Sequence, residues 1–403
     1  MKRPNWLLYA TLGFLIKIFA FGKGQRIRRT AKIKGPAIVL TNHTSFFDFI
    51  YTTAAVYPQR VSYMAASKMF YDPLLGFFLR LSRAFPKCLF QADPIATLNA
   101  FRILRQKGIV SIFPEGQISP IGVTQPINMA IAKLVKKAKV DVYVVKHMGA
   151  YLVNPPWTKK TFPGRIDTSV DLMLSRENLI AMTDEQIYDV IVEALRFNMA
   201  AYNDEKQYAY RVRDIANLES VIYRCPHCQD EFLQSRGHDL ICPACGHIMT
   251  YDRYGKIGGK QIDELYHAQE QAMQASILAD ASFQLSSPVK LESFRGNRLV
   301  EVGSGHLSLN RQQYVFEGVV DGQPTVLTFD PKNVPTLPTD LGRNIQIYEG
   351  YVIFQFVMSE IHTPTKFVIA GEFIHQLCIK NGEMEIRTED KEDTSVKNGP
   401  IVL

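Results

Sequence analysis

The sequence predicts an α/β fold with a largely parallel sheet flanked by helices, followed by a small cysteine-rich module and a C-terminal mainly-β domain. Three observations support this prediction. Short β-branched runs alternate with helix-like stretches in the first half of the chain, two Cys-x-x-Cys pairs follow, and the apolar pattern near the C-terminus has period two. A chain of 403 residues has room for two or three such domains.

The composition is that of a globular protein. Hydrophobic residues make up 46% of the chain and charged residues 21%, which excludes a disordered, collagen-like or low-complexity protein. The six cysteines are too few for a disulfide-stapled scaffold of this length. The function must therefore be sought in folded domains.

The N-terminus is both basic and apolar. Residues 1–47 contain nine Lys or Arg and no acidic residue, whereas the rest of the chain has 37 basic and 39 acidic residues. The apolar run at 6–21 covers about 24 Å as a helix, which is shorter than the roughly 30 Å hydrocarbon core of a bilayer. We therefore expect residues 1–34 to lie in an anionic membrane surface, as a peripheral or monotopic segment on the cytoplasmic face.

Two other interpretations of this run stay open. It resembles the apolar region of a signal peptide, although Lys17 interrupts it and no small-residue cleavage site follows. It could also be a buried core helix, in which case Trp6 and Phe14 need packing partners.

The pattern from residue 36 to 160 predicts the individual elements of the α/β domain, which we place at residues 35–215. The predicted strands cover 37–41, 60–65, 109–113 and 140–146. The predicted helices cover 46–57, 73–82, 96–107 and 127–137.

The second half of the chain is predicted to be more varied. Thr183 and Gln186 form a capping-box pattern that opens a helix running towards Tyr202. A helical connector is expected at 260–284 and a β-rich domain at 286–403, with a charged, frayed tail from Glu383. The predicted strands of this last domain cover 314–320, 325–329, 344–357 and 366–374.

Two loops that each follow a predicted strand contain residues suited to chemistry. The first reads Asn-His-Thr-Ser-Phe-Phe-Asp at 42–48. A separation of five does not match one face of a helix, so His43 should lie in the loop and Asp48 in the first turn of the next helix. The carboxylate could then accept the Nδ1–H of the imidazole and leave Nε2 free as a base. Alternatively, Ser45 and Asp48 form only a helix-capping signature.

The second loop contains Phe113, Pro114, Glu115 and Gly116 in sequence. Gly116 permits a sharp turn after the strand, and Glu115 should project near the first loop because ligands of open α/β sheets bind at the carboxyl ends of the strands. The alternative is an ordinary turn with an exposed acid.

Together the two loops resemble the glycerolipid acyltransferase family, of which the 1-acylglycerol-3-phosphate acyltransferases are members. The resemblance rests on the N-H-x-S-x-x-D pattern at 42–48 and the Phe-Pro-Glu-Gly block at 113–116, in that order and about 70 residues apart, and it covers about residues 30–200. It implies a glycerolipid acyltransferase-like α/β fold and transfer of a fatty acyl group from acyl-CoA or acyl carrier protein to a lipid hydroxyl.

The resemblance also implies roles for individual residues. His43 would be the general base and Asp48 its orienting partner, without a covalent acyl-enzyme. The block formed by Phe113, Pro114, Glu115 and Gly116 would help to hold the acceptor. The favoured reaction is acylation of 1-acylglycerol-3-phosphate to phosphatidate, with the lysophospholipid, the acyl thioester and the membrane surface as partners.

The sequence departs from the family pattern where an acceptor phosphate would bind. Gln117 and Ile118 replace the usual Thr-Arg after the Glu-Gly pair, and no Arg of a Gly-x-x-x-x-Arg element is found between the blocks. Arg83 or Lys87 could substitute, although Lys binds phosphate as a point charge. Two alternatives therefore stay open, namely a different lyso- or amino-lipid acceptor and an inactive acyltransferase-like scaffold with an interaction module.

Four cysteines at 225–245 have the spacing of a structural metal site. Cys225 and Cys228 form one pair and Cys242 and Cys245 the other, with thirteen residues between the pairs. This pattern predicts a zinc ribbon at 221–252, in which four thiolates complete a closed, structural Zn²⁺ site. Two disulfides are the alternative.

Two further expectations concern binding partners. Residues 221–260 carry a net charge of only +1, so we expect no nucleic acid at the ribbon. The C-terminal β domain weakly resembles small PH-like or GRAM-like membrane-sensing modules, and a β domain for protein contacts is the alternative.

Overall fold

The computed structural model describes residues 2–296, 298–350 and 352–395, and these divide into two compact units. The first unit comprises residues 1–269 and 295–299, and the second comprises residues 270–294 and those from 300 onward. The first contains both predicted loops and all four cysteines of the predicted metal site. Each unit is described below by itself.

The first unit begins with a seven-stranded sheet and its flanking helices. Its strands are β1 (Gln25–Arg29), β2 (Ala37–Thr41), β3 (Val61–Ala66), β4 (Phe85–Lys87), β5 (Ile109–Ile112), β6 (Asp141–Met148) and β7 (Ile166–Leu174). Its helices are α1 (Trp6–Gly22), α2 (Asp48–Val56), α3 (Pro73–Leu81), α4 (Pro94–Arg105), α5 (Ala130–Ala138), α6 (Ala150–Val153), α7 (Arg176–Ala181), α8 (Asp184–Leu195) and α9 (Met199–Lys206). A short 3-10 helix, Ser67–Tyr71, precedes α3.

The sheet has the strand order β1-β7-β6-β2-β5-β3-β4. Neighbouring strands are parallel except for β6 and β7, which are antiparallel. The predicted fold class is therefore confirmed, and the eight elements predicted between residues 37 and 146 are all present within a few residues of their expected ends. Strands β1, β4 and β7 were not predicted. The sequence of β1 is mostly charged and β4 has only three residues, whereas β7 does carry a period-two pattern that could have identified it.

The sheet is covered on both faces, which explains why its central strands are apolar along their whole length. Every residue of β2 and β5 is buried. One apolar cluster lies on the side of α4, α5 and α8, and the other lies on the side of α2 and the 3-10 helix. Burial on two faces is typical of a parallel sheet, and it specifies the register in which neighbouring strands pair.

The apolar N-terminal run forms α1, and only part of its surface is buried. Tyr9, Gly13 and Ala20 face the protein, whereas seven large apolar side chains are exposed. The exposed side chains are Trp6, Leu7, Phe14, Leu15, Ile18, Phe19 and Phe21. The interpretation as a fully buried core helix is therefore wrong. Among the residues that the structure describes, none of the helices combines the length and apolar character needed to cross a bilayer.

Helix α1 is joined to the sheet without a flexible linker. The N–H of Gly24 donates to the carbonyl of Phe21, and β1 begins at the next residue. Gly24 has a φ of +92°, and a Cβ there would lie 1.9 Å from the carbonyl oxygen of Gly164. Only glycine fits this crossing. The predicted 1–34 segment thus contributes its basic strand β1 to the edge of the sheet, next to β7.

The predicted helix after Thr183 is shorter than expected. The capping box of Thr183 and Gln186 is present, but α8 ends at Leu195 and a separate helix, α9, begins at Met199. Asn198 caps α9 by accepting the N–H of Ala201. An Asn at this position competes with the continuation of α8, because its side chain satisfies a backbone donor at a new helix start.

The cysteine-rich module completes the first unit. It contains a three-stranded sheet, β8 (Gln234–Arg236), β9 (Asp239–Ile241) and β10 (Ile248–Thr250), and a hairpin of β11 (Lys256–Ile257) and β12 (Lys260–Gln261). A 3-10 turn, Leu218–Ser220, precedes it, and helix α10 (Ile262–Ala279) follows, as the connector prediction required. Buried Gln269 of α10 bonds the backbone of Val221 and Tyr223, so this helix supports the module.

The second unit is a seven-stranded antiparallel sheet followed by a long helix, α11 (Thr363–Ser395). The strands are β13 (Gln284–Arg295), β14 (Arg298–Asn310), β15 (Tyr314–Val320), β16 (Gln323–Phe329), β17 (Thr339–Asp340), β18 (Asn344–Glu349) and β19 (Val352–Met358), and a 3-10 turn lies at Pro331–Asn333. Their order is β16-β15-β14-β13-β19-β18-β17.

Three expectations for this unit need correction. The run predicted as one strand at 344–357 is the hairpin of β18 and β19. The strand predicted at 366–374 is wrong, because these residues lie in α11, where buried Phe367, Ala370 and Ile374 follow helical spacing. The tail predicted to fray from Glu383 is helical as far as Ser395, and residues 396–403 of that prediction lie outside the described residues.

Candidate active site

The first predicted loop holds His43 against the start of α2. His43 lies between β2 and α2, and Asp48 is the first residue of α2, as the spacing predicted. The Nδ1 atom of His43 lies 3.1 Å from Oδ2 of Asp48. The imidazole is partly exposed and the carboxylate is fully buried, so the ring is held from inside while its other nitrogen remains available.

Asp48 also organises the backbone of the loop. Its Oδ2 accepts the N–H groups of Thr44 and Ser45, at 2.7 and 2.8 Å. Only half of the capping signature considered from the sequence is therefore present: Asp48 accepts the N–H of Ser45, but the N-cap of α2 is Phe47, which makes no side-chain capping bond. A carboxylate in the first turn of a helix is further stabilised by the helix dipole. One side chain thus fixes the loop and the ring.

Glu115 of the second loop holds the same histidine through its backbone. It is only 2% exposed, and its two oxygens accept the N–H groups of His43 and Gln125, both at 2.7 Å. Burial is the main reason that the pKa of Glu115 is raised to about 8. Glu115 therefore lies against the first loop, as expected, whereas the alternative of an exposed acid is wrong because both oxygens are used inside the protein.

Phe113 and Gly116 complete the second loop. The Phe113 ring stacks on the imidazole of His43, with centroids 4.4 Å apart and an interplanar angle of 29°. Gly116 has a φ of +74°, and its N–H donates to the carbonyl of Phe113 across the half-buried Pro114 and the buried Glu115. The turn therefore needs a glycine. It places Phe113 against the ring of His43 and Glu115 against the backbone N–H of His43.

A buried polar network that was not predicted from the sequence lies behind the two loops. His147 of β6 is fully buried, and its ring nitrogens lie 2.8 Å from the hydroxyl of Thr52 and 3.0 Å from that of Thr168. Its backbone N–H donates to the side chain of Asn42. Burial lowers the pKa of His147 to about 4, so the ring is neutral at pH 7. The network ties α2, which carries Asp48, to β6 and β7.

Arg83 and Lys87 lie apart from this cluster. Arg83 lines a groove of about 480 Å³ with Arg80, Tyr71 and the 3-10 helix that precedes α3. The ammonium of Lys87 donates to the carbonyls of Cys88 and Gln91, at 2.6 and 2.7 Å. Among the described residues, neither cation is bonded to the His43 loop. The structure thus brings together His43, Asp48, Phe113 and Glu115, and it leaves the two cations elsewhere.

The four predicted cysteine ligands converge in the module that follows. Their sulfur atoms all lie within 4.8 Å of one another, with Cys225 and Cys245 3.8 Å apart and Cys228 and Cys242 3.5 Å apart. A tetrahedral ion with bonds of about 2.3 Å needs sulfur separations of about 3.8 Å. The cysteines are not paired as disulfides. The donor set and its spacing therefore fit a Zn²⁺ ion.

The two halves of this cluster have the same backbone form. The residue after each pair, Gln229 or Gly246, has a positive φ, and its N–H donates back to the carbonyl of Cys225 or Cys242. In addition, the N–H of His227 points at the sulfur of Cys225. Such turns direct amides towards thiolates and stabilise their charge, which is the arrangement expected of a ribbon with two knuckles.

The part of the chain that contains this site matches a known protein family. Residues 22–147 match the protein family model described as Acyltransferase. The matched region extends from the end of α1 to β6 and contains both loops that hold His43. The chain therefore contains an acyltransferase domain, and the resemblance inferred from the two sequence blocks is confirmed over these residues.

Two named proteins are similar to parts of this chain. The chain is 28% identical over 79 residues to a 1-acyl-sn-glycerol-3-phosphate acyltransferase from Bacillus subtilis (strain 168), a match that covers 20% of this chain and 40% of the relative. The chain thus spans less than half the length of this curated relative. Among solved structures, the 1-acyl-sn-glycerophosphate acyltransferase PlsC from Thermotoga maritima matches with a TM-score of 0.41 and 18% identity, over 50% of this chain and 79% of that one.

The buried position of Glu115 predicts an unusual pH dependence of stability. Its pKa is higher in the folded chain than in an unfolded one, so its contribution is complete below about pH 4.5 and is lost as the pH rises through about 8. The free energy of unfolding of the wild type, relative to Glu115→Gln, should therefore fall by up to about 1.4 kcal/mol per pH unit across this interval. Urea unfolding of both proteins at pH 5, 6, 7 and 8 measures the difference, and a constant difference would contradict the prediction.

Proposed function

We propose that this protein transfers an acyl group from an acyl thioester, acyl-CoA or acyl-acyl carrier protein, to the free hydroxyl of a lysophospholipid. The favoured acceptor is 1-acylglycerol-3-phosphate and the product is phosphatidate. The observation that carries the proposal is the contact between His43 and the buried Asp48, inside a domain of the acyltransferase family.

In the proposed mechanism His43 acts as a general base. The Nδ1–H is directed at Asp48, which leaves Nε2 free to take the proton of the acceptor hydroxyl. As that proton leaves, the hydroxyl oxygen of the acceptor attacks the thioester carbonyl. An ester C–O bond forms, the C–S bond breaks, and the proton on the imidazole passes to the departing thiolate. The stacked ring of Phe113 restricts rotation of the His43 imidazole, while Glu115 fixes the backbone of His43. No acyl-enzyme is required.

The reaction is proposed to occur at the cytoplasmic face of a membrane. Helix α1 supports this location because it presents exposed Trp6, Leu15 and Phe21 next to the basic residues of β1. Anionic lipid would attract these cations, and the apolar face of α1 would enter the interface. The ring of Phe19 on α1 lies 6.4 Å from that of Phe47 in the His43 loop, so the proposed interface adjoins the site.

Substitution of His43 tests the mechanism. His43→Ala should lower kcat/KM by about 10²–10⁴-fold, because it removes the base without changing a buried residue. Asp48→Asn should lower it as well, through loss of the charge that orients the ring. The assay follows release of thiol with 1-acylglycerol-3-phosphate (lysophosphatidate) as acceptor. Thermal melting of each variant checks that it is folded. His306→Ala, a change of an exposed histidine in the second unit, is the control and should retain full activity. Turnover by His43→Ala at the control rate would refute the mechanism.

A second acceptor class is kept because the cations predicted to bind a phosphate lie away from the His43 loop. Gln117 and Ile118 stand where the family usually has Thr-Arg, and the ammonium of Lys87 already donates to two carbonyls. Both observations weaken the case for a tightly held phosphomonoester and favour another lyso- or amino-lipid.

A panel of acceptors distinguishes these two classes. Lysophosphatidate, lysophosphatidylglycerol, lysophosphatidylcholine and a long-chain amino-lipid would be supplied at equal concentration with one acyl-CoA. The favoured reaction predicts the highest kcat/KM for lysophosphatidate. A tenfold or larger preference for any other acceptor would select the second class, and no transfer to any of them by fully folded protein would support the scaffold interpretation.

We also propose that the four cysteines bind one structural Zn²⁺ ion. The ion would link the knuckle at Cys225 and Cys228 to the one at Cys242 and Cys245, and so stabilise the module on α10. A closed set of four thiolates has no open position for substrate. The ion therefore takes no part in the proposed acyl transfer.

Metal analysis tests this site. Protein purified without chelator should contain about one zinc per chain, and Cys225→Ser should lose most of it and melt at a lower temperature. Cys378→Ser is the matched control, because this thiol lies outside the cluster, and it should keep its zinc. Elemental analysis by mass spectrometry measures the content. Wild-type protein that is folded, metal-free and insensitive to chelator would contradict the proposal.

A further inference from the structure

Helix α3 presents its apolar stripe to solvent. Leu74, Phe77, Phe78 and Leu81 are spaced as one face of a helix, a pattern that normally faces a protein core. Here Leu74 is 69% exposed, Phe77 58% and Phe78 45%. This is an exposed apolar face outside α1, and contiguous faces of this kind mark interaction surfaces.

The orientation of α3 is fixed by its backbone contacts. Gly76 is buried, and a Cβ at this position would lie 2.4 Å from the carbonyl oxygen of Phe70. Helix α3 therefore lies against the preceding 3-10 helix through its glycine, while Asp72 caps its N-terminus and Arg80 donates to the Phe70 carbonyl at 2.6 Å. Rotation of the apolar stripe into the protein would require the contacts of Gly76 and Arg80 with Phe70 to break.

The charge around α3 indicates what could cover this face. Residues 60–107 contain eight Lys or Arg and only two acidic residues, whereas the chain outside 1–47 and 60–107 contains 29 basic and 37 acidic residues. Arg80 and Arg83 line the groove of about 480 Å³ beside the 3-10 helix. Exposed aromatic side chains within such a basic segment suit an anionic bilayer better than a soluble acidic surface.

The topology places α3 at the same edge of the sheet as the candidate active site. Strands β2, β3 and β5 are parallel, so the His43 loop, the 3-10 helix before α3 and the Glu115 loop all start from their carboxyl ends. The rings of Phe49, Tyr63 and Phe113 form a chain of contacts across this edge. A surface that entered a bilayer here would bring the edge to the lipid.

We propose that α3 inserts into the interface of an anionic bilayer through Leu74, Phe77 and Phe78, as a second lipid contact besides α1. The inference concerns attachment and does not depend on the acceptor or on the role of His43. With two insertion elements, the carboxyl edge of the sheet faces the lipid from which an acceptor would come.

Tryptophan fluorescence tests the insertion directly. The chain has two tryptophans, exposed Trp6 and buried Trp157. The full-length double variant Trp6→Phe, Phe77→Trp places one probe on α3 and keeps buried Trp157 as a background, which the single variant Trp6→Phe measures. Vesicles of phosphatidylcholine with about one-third phosphatidylglycerol, brominated on the acyl chains, should quench this probe and blue-shift its emission. The matched control, Trp6→Phe, Ile180→Trp, carries its probe at a position that is 66% exposed on α7, and it should be neither quenched nor shifted.

Vesicle co-sedimentation measures how strongly α3 contributes to lipid binding. Phe77→Ser, Phe78→Ser should raise the lipid concentration for half-maximal binding about tenfold or more, whereas Ile180→Ser should not change it. An unquenched probe at residue 77 in protein that sediments with the vesicles would overturn the proposal and leave α1 as the attachment. Absence of any vesicle binding would also overturn it, without bearing on an acyl-transfer assay with detergent-dispersed acceptor. Conversion of a dimer to a monomer by the double Ser variant would assign the face to a second copy of the chain instead.

Discussion

The candidate active site depends on two buried carboxyl groups that hold one histidine from different sides. Asp48 contacts the ring of His43, and Glu115 accepts its backbone N–H. The two acids are 67 positions apart in the chain, so the histidine is in place only when β2 and β5 are paired in their native register. The geometry of one side chain is therefore tied to the assembly of the sheet, and the double burial of β2 and β5 keeps this geometry rigid.

The sequence predicts the positions of His43 and Asp48 better than it predicts the contacts that support them. The five-residue separation of His43 and Asp48 correctly placed one in a loop and the other in a first helical turn, because helix and loop geometry limit what each can reach. The burial of Glu115 could not be predicted, since nothing in Phe-Pro-Glu-Gly distinguishes an acid that meets substrate from one that meets a backbone N–H. The same applies to His147, whose partners Thr52 and Thr168 come from distant segments.

The errors in the fold prediction have a common physical origin. Residues 366–374 contain so many apolar side chains that both helical and strand periods fit, and only the packing of Phe367 and Ile374 onto the second unit selects the helix. Strand β1 is basic and exposed on one side, and it is a strand because β7 offers backbone partners to it. The four cysteines were easier to predict, because the coordination of a small ion restricts their spacing more tightly than packing restricts an apolar run.

The junction at Gly24 has a mechanical consequence. Because α1 passes into β1 through a close crossing of Gly24 against Gly164, the helix is a rigid extension of the sheet edge and not a tethered arm. A force or torque applied to the helix reaches β7 directly, with no intervening coil to absorb it. A glycine-rich insertion after residue 22 would decouple α1 from the sheet and give the helix rotational freedom. More conformational entropy would then be lost when α1 and the sheet adopt one relative orientation.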